Sequence, residues 1–286
     1  MAAPNMRWPD FFLVGAARSG TTSMFTLLKQ HPEIFVSVLK EPHFFGSDLT
    51  RQPHTVRDLE VYGRFFEDAG ERQICGEGSV WYLLSKQAAA EIRRACPAAK
   101  ILVMLREPTA MVRSLHALYL RTGNEEIEDL EEAIAAEDER RRGRRIPPTA
   151  YFPEGLIYTD AATYTEKVRR YLEAFGDSVR IVIFDDFVSD TPAVYRDTAA
   201  FLGVDPDFAP NWDLRAANAA MRMDVLRQMR KLPPDLRRVL RGSGQRHLGK
   251  GPRVDAAFRA RLRRRFADDV RSLGALIGRD LSGWSS

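Results

Sequence analysis

Hydrophobic positions along this chain alternate between short apolar runs and helical periodicities. Phe11–Val14, Ile101–Leu105 and Val179–Phe184 are runs of the kind that lie buried on both faces of a sheet. Ile34–Val38 and Gln73–Glu77 read as two further short strands. Between the strands, apolar residues recur at i, i+3, i+4 and their multiples. Met24, Leu27 and Leu28 mark one helix, and Met111, Leu115 and Leu118 a second. Tyr164, Val168, Tyr171, Leu172 and Phe175 mark a third, and Phe258, Leu262, Phe266 and Leu273 a last one. Breakers fall where the periodicity stops: Pro32 follows His31, Gly176 ends the Tyr164–Phe175 pattern, Thr191-Pro192 opens a helix and Gly203 closes it. A helix is also expected around Leu59–Phe66. Strands alternating with helices predict an α/β fold, a single domain whose central, mainly parallel sheet is flanked by helices. Residues 46–72, 124–150 and 206–250 interrupt that alternation as long polar segments.

The first strand runs into Gly15-Ala16-Ala17-Arg18-Ser19-Gly20, and a helix opens at Thr21-Thr22-Ser23. A strand, a loop between glycines and a helix start together form an anion site. The first-turn N–H groups lack backbone partners, the helix dipole is positive there, and glycine lets a phosphate approach the main chain. The spacing is that of a phosphate-binding loop, G-x-x-x-x-G-K-[ST], without its lysine. Thr21 stands where an NTPase keeps the residue that reaches the β/γ-phosphates, so the loop suits a phosphate ester better than a magnesium triphosphate. A second constellation follows Ile101–Leu105: Arg106, a Glu107-Pro108 turn, and a helix carrying Ser114 eight residues beyond Arg106. An arginine at the carboxyl end of a buried strand sits on the ligand-binding edge of an open α/β sheet.

With these motifs in place, the chain resembles the sulfotransferase family, which uses 3′-phosphoadenosine 5′-phosphosulfate (PAPS) as sulfuryl donor. Residues 15–23 resemble that family's 5′-phosphosulfate loop, and Arg106 with Ser114 its 3′-phosphate motif. Lys40-Glu41-Pro42-His43-Phe44-Phe45 resembles the segment that carries the base in the carbohydrate (heparan sulfate) branch, and Leu276–Trp284 the tail of bacterial members. The likeness spans nearly the whole chain, so one domain, 1–286, is implied. It further implies that Arg18, Ser19, Gly20, Thr21, Thr22 and Ser23 hold the 5′-phosphosulfate, with Arg18 neutralising the departing phosphate. Glu41 is implied as base, with His43 orienting the acceptor or serving as the base itself. Lys250 and Arg253, in the basic loop Leu248–Arg253, are candidates for closing over the 3′-phosphoadenosine. The chain departs from the family at two places: Arg18 where lysine is usual, and Gly78 where an acceptor-side lysine commonly stands. Arginine keeps the charge but does not deprotonate, which limits Arg18 to electrostatics. Trp81 and Tyr82 fit either the wall of an acceptor pocket or the core. The implied transfer needs no metal. The acceptor is a hydroxyl of a sugar, glycolipid or secondary metabolite, read by the segments 46–72, 124–150 and 206–250.

Charge sharpens the picture without redirecting it. The formal net charge is +4, but residues 214–265 hold 16 Lys/Arg against 3 Asp/Glu, a net of +13, which leaves −9 for the remainder. A basic tract suits an anionic donor or acceptor and leaves peripheral membrane contact open. No aromatic-and-basic recognition motif accompanies it, so no nucleic acid is expected. No run approaches the roughly 18–20 apolar residues that cross a bilayer. Cys75 and Cys96 are too few for a disulfide framework, and with no signal peptide in view a cytoplasmic setting is expected. The oligomeric state is not legible. The alternative reading is a kinase or NTPase with Asp185, at the end of Val182-Ile183-Phe184, holding magnesium. A binding protein that keeps the donor fold without the chemistry is a third.

Overall fold

The computed structural model of the chain describes residues 6–50, 52, 55–213 and 255–285. They gather into two compact units, each discontinuous in sequence. The first takes in residues 6–48, 55–105 and 170–213, and the second residues 49, 50, 52, 106–169 and 255–285.

The first unit carries the sheet. Its strands are β1 (Phe11–Gly15), β2 (Ile34–Val36), β3 (Ile74–Gly78), β4 (Lys100–Leu105) and β5 (Val179–Ile183), in the order β2-β3-β1-β4-β5. All four pairings are parallel, which fits the continuous apolar runs of β1 and β4. β1 is central and buried along its whole length. The connection from β1 passes β3 to reach β2, whereas that from β3 passes β1 to reach β4. The topology therefore switches direction between β1 and β4, and in open sheets ligands bind beyond the carboxyl ends of strands at such a point.

Alternating side chains of each strand supply the two faces. Phe11 and Leu13 share one core cluster with Met24, Phe25, Leu27 and Leu28 of α1 (Thr21–Leu28) and with Tyr195, Ala199 and Leu202 of helix Thr191–Leu202. Phe12 faces the other way, its ring edge-on to Phe45 at 5.7 Å. Tyr62, Phe65 and Phe66, from helix Leu59–Gly63 and the 3₁₀ turn Arg64–Phe66, are buried as well. Caps fall where the sequence placed breakers. Asp190 accepts from Ala193 N, Pro192 occupies the first turn and Gly203 ends the helix at φ 85. His31 is a helix-end residue: its Nδ1 accepts from Glu33 N at 3.1 Å and its Nε2 faces the Asp205 carbonyl at 2.9 Å.

The second unit is helical. Helix Pro108–Thr122 packs against Tyr158–Ala162 and against the long helix Ala256–Ile277, which buries Phe258, Leu262, Phe266, Val270 and Leu273. Asp269 of that helix accepts from Tyr164 N at 2.7 Å and Thr165 N at 3.1 Å. The polar stretch after Asn124 forms two short helices, Leu130–Ala135 and Glu137–Arg141. Arg140 is wholly buried and paired to the equally buried Glu125 at 2.8 Å, and Tyr158 donates to the other Glu125 oxygen at 2.8 Å. A buried pair persists where hydrogen bonds satisfy both ions, and the Leu156 and Arg145 carbonyls complete the guanidinium here.

Candidate functional site

The loop between β1 and α1 is built to leave backbone N–H groups unclaimed. Gly20 is the N-cap of α1, at φ 85, and no side chain caps the helix; the first intrahelical bond is Met24 N to Gly20 O at 3.1 Å. The preceding N–H groups of the first turn thus have no acceptor within the helix. A β-carbon at Gly20 would stand 3.0 Å from the Phe184 ring, so a side chain there would crowd that ring as well as strain φ. The start of helix Pro108–Thr122 contrasts with this. There Glu107 itself accepts from Thr109 N at 3.0 Å and Ala110 N at 2.6 Å, a carboxylate already in the anion's place. Within the loop, Arg18 and Thr22 are exposed, Gly20 and Ser23 are partly so, and Ser19 and Thr21 are buried. Arg18 adopts φ 62.

On the far side of β3, the chain leaving β2 forms the Lys40–Phe45 segment. Lys40 Nζ lies 2.5 Å from Glu41 Oε1, and His43 Nε2 lies 3.7 Å from Glu41 Oε2. The Glu41 side chain keeps 28% exposure while His43 is nearly enclosed. Burial would raise the Glu41 carboxyl, but the Lys40 ammonium and the His43 imidazole outweigh it and hold the acid well below the usual carboxylate range. Burial pushes the His43 imidazole below its ordinary value, against the pull of Glu41, so the ring is neutral at neutral pH. The pair therefore presents an anionic carboxylate beside a neutral imidazole. Both residues sit in the left-handed region, Glu41 at φ 62 and His43 at φ 49. Among the described residues only four non-glycine positions do so, and Arg18, Glu41 and His43 are three of them. Such conformations cost on the order of 1–3 kcal/mol each and collect at functional sites.

Sequence reasoning passed over one group, Glu77 in β3, reading it only as the end of a strand. It is fully buried, and its Oε2 accepts from Tyr62 Oη at 2.9 Å and Tyr82 Oη at 2.8 Å. Burial pushes its acid up to about 7, with Ser79 and the two phenols pulling it back. A carboxyl within a predicted strand, followed closely by the apolar and aromatic run Val80–Leu83, was the available signal. Trp81 and Tyr82 are buried, the core reading of the two. Gly78 lies under the Phe25 ring, which a β-carbon would meet at 2.9 Å, so packing excludes a lysine at this place. Burial raises the thiols of Cys75, to about 11, and of Cys96, to about 12; both are free. They are held as inert thiols.

Arg106 follows Leu105 of β4 directly and opens the second unit, half-buried, its carbonyl accepting from Tyr164 Oη at 3.0 Å. Ser114 is half-buried in helix Pro108–Thr122. Thus the structure gathers Arg18–Ser23, Glu41 and His43 into the first unit and Arg106 and Ser114 into the second. Lys250, Arg253, His54 and most of the basic tract lie outside the described residues. Asp185 is exposed in the first turn of helix Phe184–Ser189. Among the described residues no group of three His, Cys, Asp or Glu side chains is arranged to hold a metal ion, and no helix is long and apolar enough to cross a membrane.

No family model matches the chain. A sulfotransferase from Alicyclobacillus acidocaldarius, of known structure, is similar over 98% of this chain and 100% of that one, with 32% identity and a TM-score of 0.74. Membrane-associated sulfotransferase kil1 of Dictyostelium discoideum is 27% identical over 173 residues, 58% of this chain and 32% of that protein. Carbohydrate sulfotransferase 15 of Rattus norvegicus is 28% identical over 169 residues, 44% of this chain and 30% of that protein. The chain spans about a third of the length of these curated relatives.

Proposed function

The chain belongs to the sulfotransferase family, and from that premise we propose that it moves the sulfuryl group of PAPS to an acceptor hydroxyl. The observation that carries this reading is the start of α1: a helix N-terminus without a side-chain cap, entered through left-handed Arg18 and Gly20, in a loop with no lysine. Its N–H groups, with Ser19, Thr21, Thr22 and Ser23, hold the 5′-phosphosulfate, and Arg18 offsets the charge that gathers on the departing phosphate. Arg106 and Ser114 take the 3′-phosphate as a charge-assisted clamp. Lys250 and Arg253 would close over the nucleotide.

Sulfuryl transfer is an in-line displacement, in which an acceptor O–S bond forms as the S–O bond to the 5′-phosphate breaks. Catalysis then rests on alignment and fixed charge. Glu41, anionic at neutral pH, takes the proton that the acceptor oxygen gives up. His43, neutral and enclosed, orients that oxygen. The reverse division of labour, with His43 as base, uses the same two groups. No step in this scheme calls for a metal.

A hydroxyl on a carbohydrate, or on a glycolipid or secondary metabolite, is the acceptor we favour, since a carbohydrate sulfotransferase is among the relatives. The likeness to the Alicyclobacillus protein takes in both units, which supports one transferase domain. A cytoplasmic setting suits two thiols kept buried and free. The kinase alternative draws no support from the three relatives named above, each a sulfotransferase. Calorimetry tests the reading: 3′-phosphoadenosine 5′-phosphate (PAP) should bind at least about 10-fold tighter than ATP·Mg²⁺. The reverse preference would overturn it.

A further inference from the structure

Among the described residues of the first unit Glu77 is a buried carboxyl that this reaction leaves unused, and its hydrogen bonds lead to the acceptor-side segment. The N–H groups of Glu41, His43 and Phe45 all end on one stretch of chain, the end of β3 and the turn after it. Glu41 N donates to Gly78 O at 2.8 Å, His43 N to Ser79 Oγ at 3.1 Å, and Phe45 N to Tyr82 Oη at 3.1 Å. A tyrosine hydroxyl has one hydrogen to give. That of Tyr82 goes to Glu77 Oε2, which leaves its lone pairs for Phe45 N–H. Tyr62 gives its hydrogen to the same carboxylate oxygen and stacks its ring on Phe44, centroids 4.1 Å apart and 15° from parallel.

The carbonyl side of the segment is tied as well. Arg57 donates to the carbonyls of Phe44, Phe45 and Gly46, and Val56 N donates to the carbonyl of Pro42 at 2.8 Å. Tyr171 Oη in turn donates to the Tyr82 carbonyl at 3.0 Å. Backbone with two left-handed non-glycine residues persists only where its surroundings over-determine it. These contacts are that surrounding, and Glu77 orients the two phenols at its centre.

We propose that Glu77 is a positioning residue for sulfuryl transfer: through Tyr82 and Tyr62 its carboxylate fixes the His43–Phe45 backbone, and so keeps Glu41 and His43 in the geometry that serves the acceptor hydroxyl. The inference rests on the reading of Glu41 and His43 as the acceptor-side pair. The groups that face Glu77 are Tyr62, Tyr82, Ser79, Tyr171, Cys96 and Glu41, the last pushing its acid upward by like charge. Both phenols end on the one oxygen Oε2; as a carboxylate it accepts from them through stronger, charge-assisted bonds than the neutral acid would, and its charge makes Glu41 the stronger base. Turnover accordingly rises with pH as Glu77 ionises.

The test uses Glu77→Gln, which keeps the shape and removes the titration, with Tyr82→Phe as a second probe. Three readouts serve: PAP affinity, PAP release from PAPS with water as acceptor across neutral pH, and NMR of the His43 and Phe45 amides. In the wild type those amides should shift with one inflection near neutrality. Glu77→Gln should abolish that inflection, and Tyr82→Phe should displace the same signals. PAP affinity should stay within about 2-fold while the release rate falls about 10-fold and loses its near-neutral inflection, the split expected of lost alignment rather than lost binding. Variant rates and pH profile within about 2-fold of wild type would overturn the proposal, as would amides indifferent to Glu77. A wild type that fails to bind PAP would sink the sulfotransferase reading instead, and the NMR arm would still decide whether Glu77 governs the segment.

Discussion

Replacing Glu77 by glutamine should change how stability depends on pH, and the sign follows from the direction of its shift. Burial raises this acid from 4.5 to about 7, so the folded chain holds the proton more tightly than the unfolded chain does. The stability it contributes is complete below pH 4.5 and is lost as pH climbs through about 7. Between roughly pH 5 and pH 8 the loss is about 2–3 kcal/mol, since one pK unit corresponds to about 1.4 kcal/mol. Glutamine has no such titration. Urea unfolding of both proteins over that range gives the quantity wanted, the stability of Glu77→Gln minus that of the wild type. That difference should rise by about 2–3 kcal/mol toward alkaline pH. His43 and His116, both pushed down by burial, tilt the raw curves the other way but are common to both proteins and cancel. Any constant cost of exchanging an oxygen for an amide nitrogen shifts the offset and leaves the slope intact. A flat difference would refute the reasoning, because it would mean that Glu77 titrates in the fold as it does in the open chain.

Other outcomes follow from the same geometry. Glu41→Gln should lower turnover by roughly 100-fold or more with PAP affinity near normal, and a fully active variant would remove Glu41 from the role of base. Lys40→Met removes the cation 2.5 Å from Glu41, so the Glu41 acid should move up and carry with it the lower inflection of the rate–pH profile, the one below the Glu77 inflection; a lower inflection that stays put would place the base elsewhere. Gly20→Ala forces a β-carbon to 3.0 Å from Phe184 at φ 85, and should cost about 1–2 kcal/mol of stability and weaken PAP binding. An alanine variant that melts and binds like wild type would show that the loop does not need this conformation.

The sheet was legible because β1 and β4 are continuous apolar runs and because glycines stand where the chain turns left-handed, at Gly20 and Gly203. The anion loop was legible for the same reason: periodicity begins just after a glycine that offers no cap. The Glu41–His43 pair was reached by likeness of motif, but its left-handed backbone was not, since glutamate and histidine carry no signal for positive φ. Glu77 stayed hidden because its partners, Tyr62 and Tyr82, reach it from elements on either side of it in the chain. Arg140 stayed hidden for a similar reason. In sequence it belongs to an arginine cluster, and only the approach of Glu125 and Tyr158 makes it a buried ion.

In the proposed scheme two separate clamps hold the two ends of one nucleotide. The deciding measurement is the ratio of PAP to adenosine 5′-phosphate affinity, ligands that differ only in the 3′-phosphate, in wild type, Arg18→Ala and Arg106→Ala. The wild type should prefer PAP by a few kcal/mol, Arg106→Ala should collapse this preference, and Arg18→Ala should weaken both ligands alike. An Arg106→Ala protein that still prefers PAP as strongly as wild type would contradict that scheme.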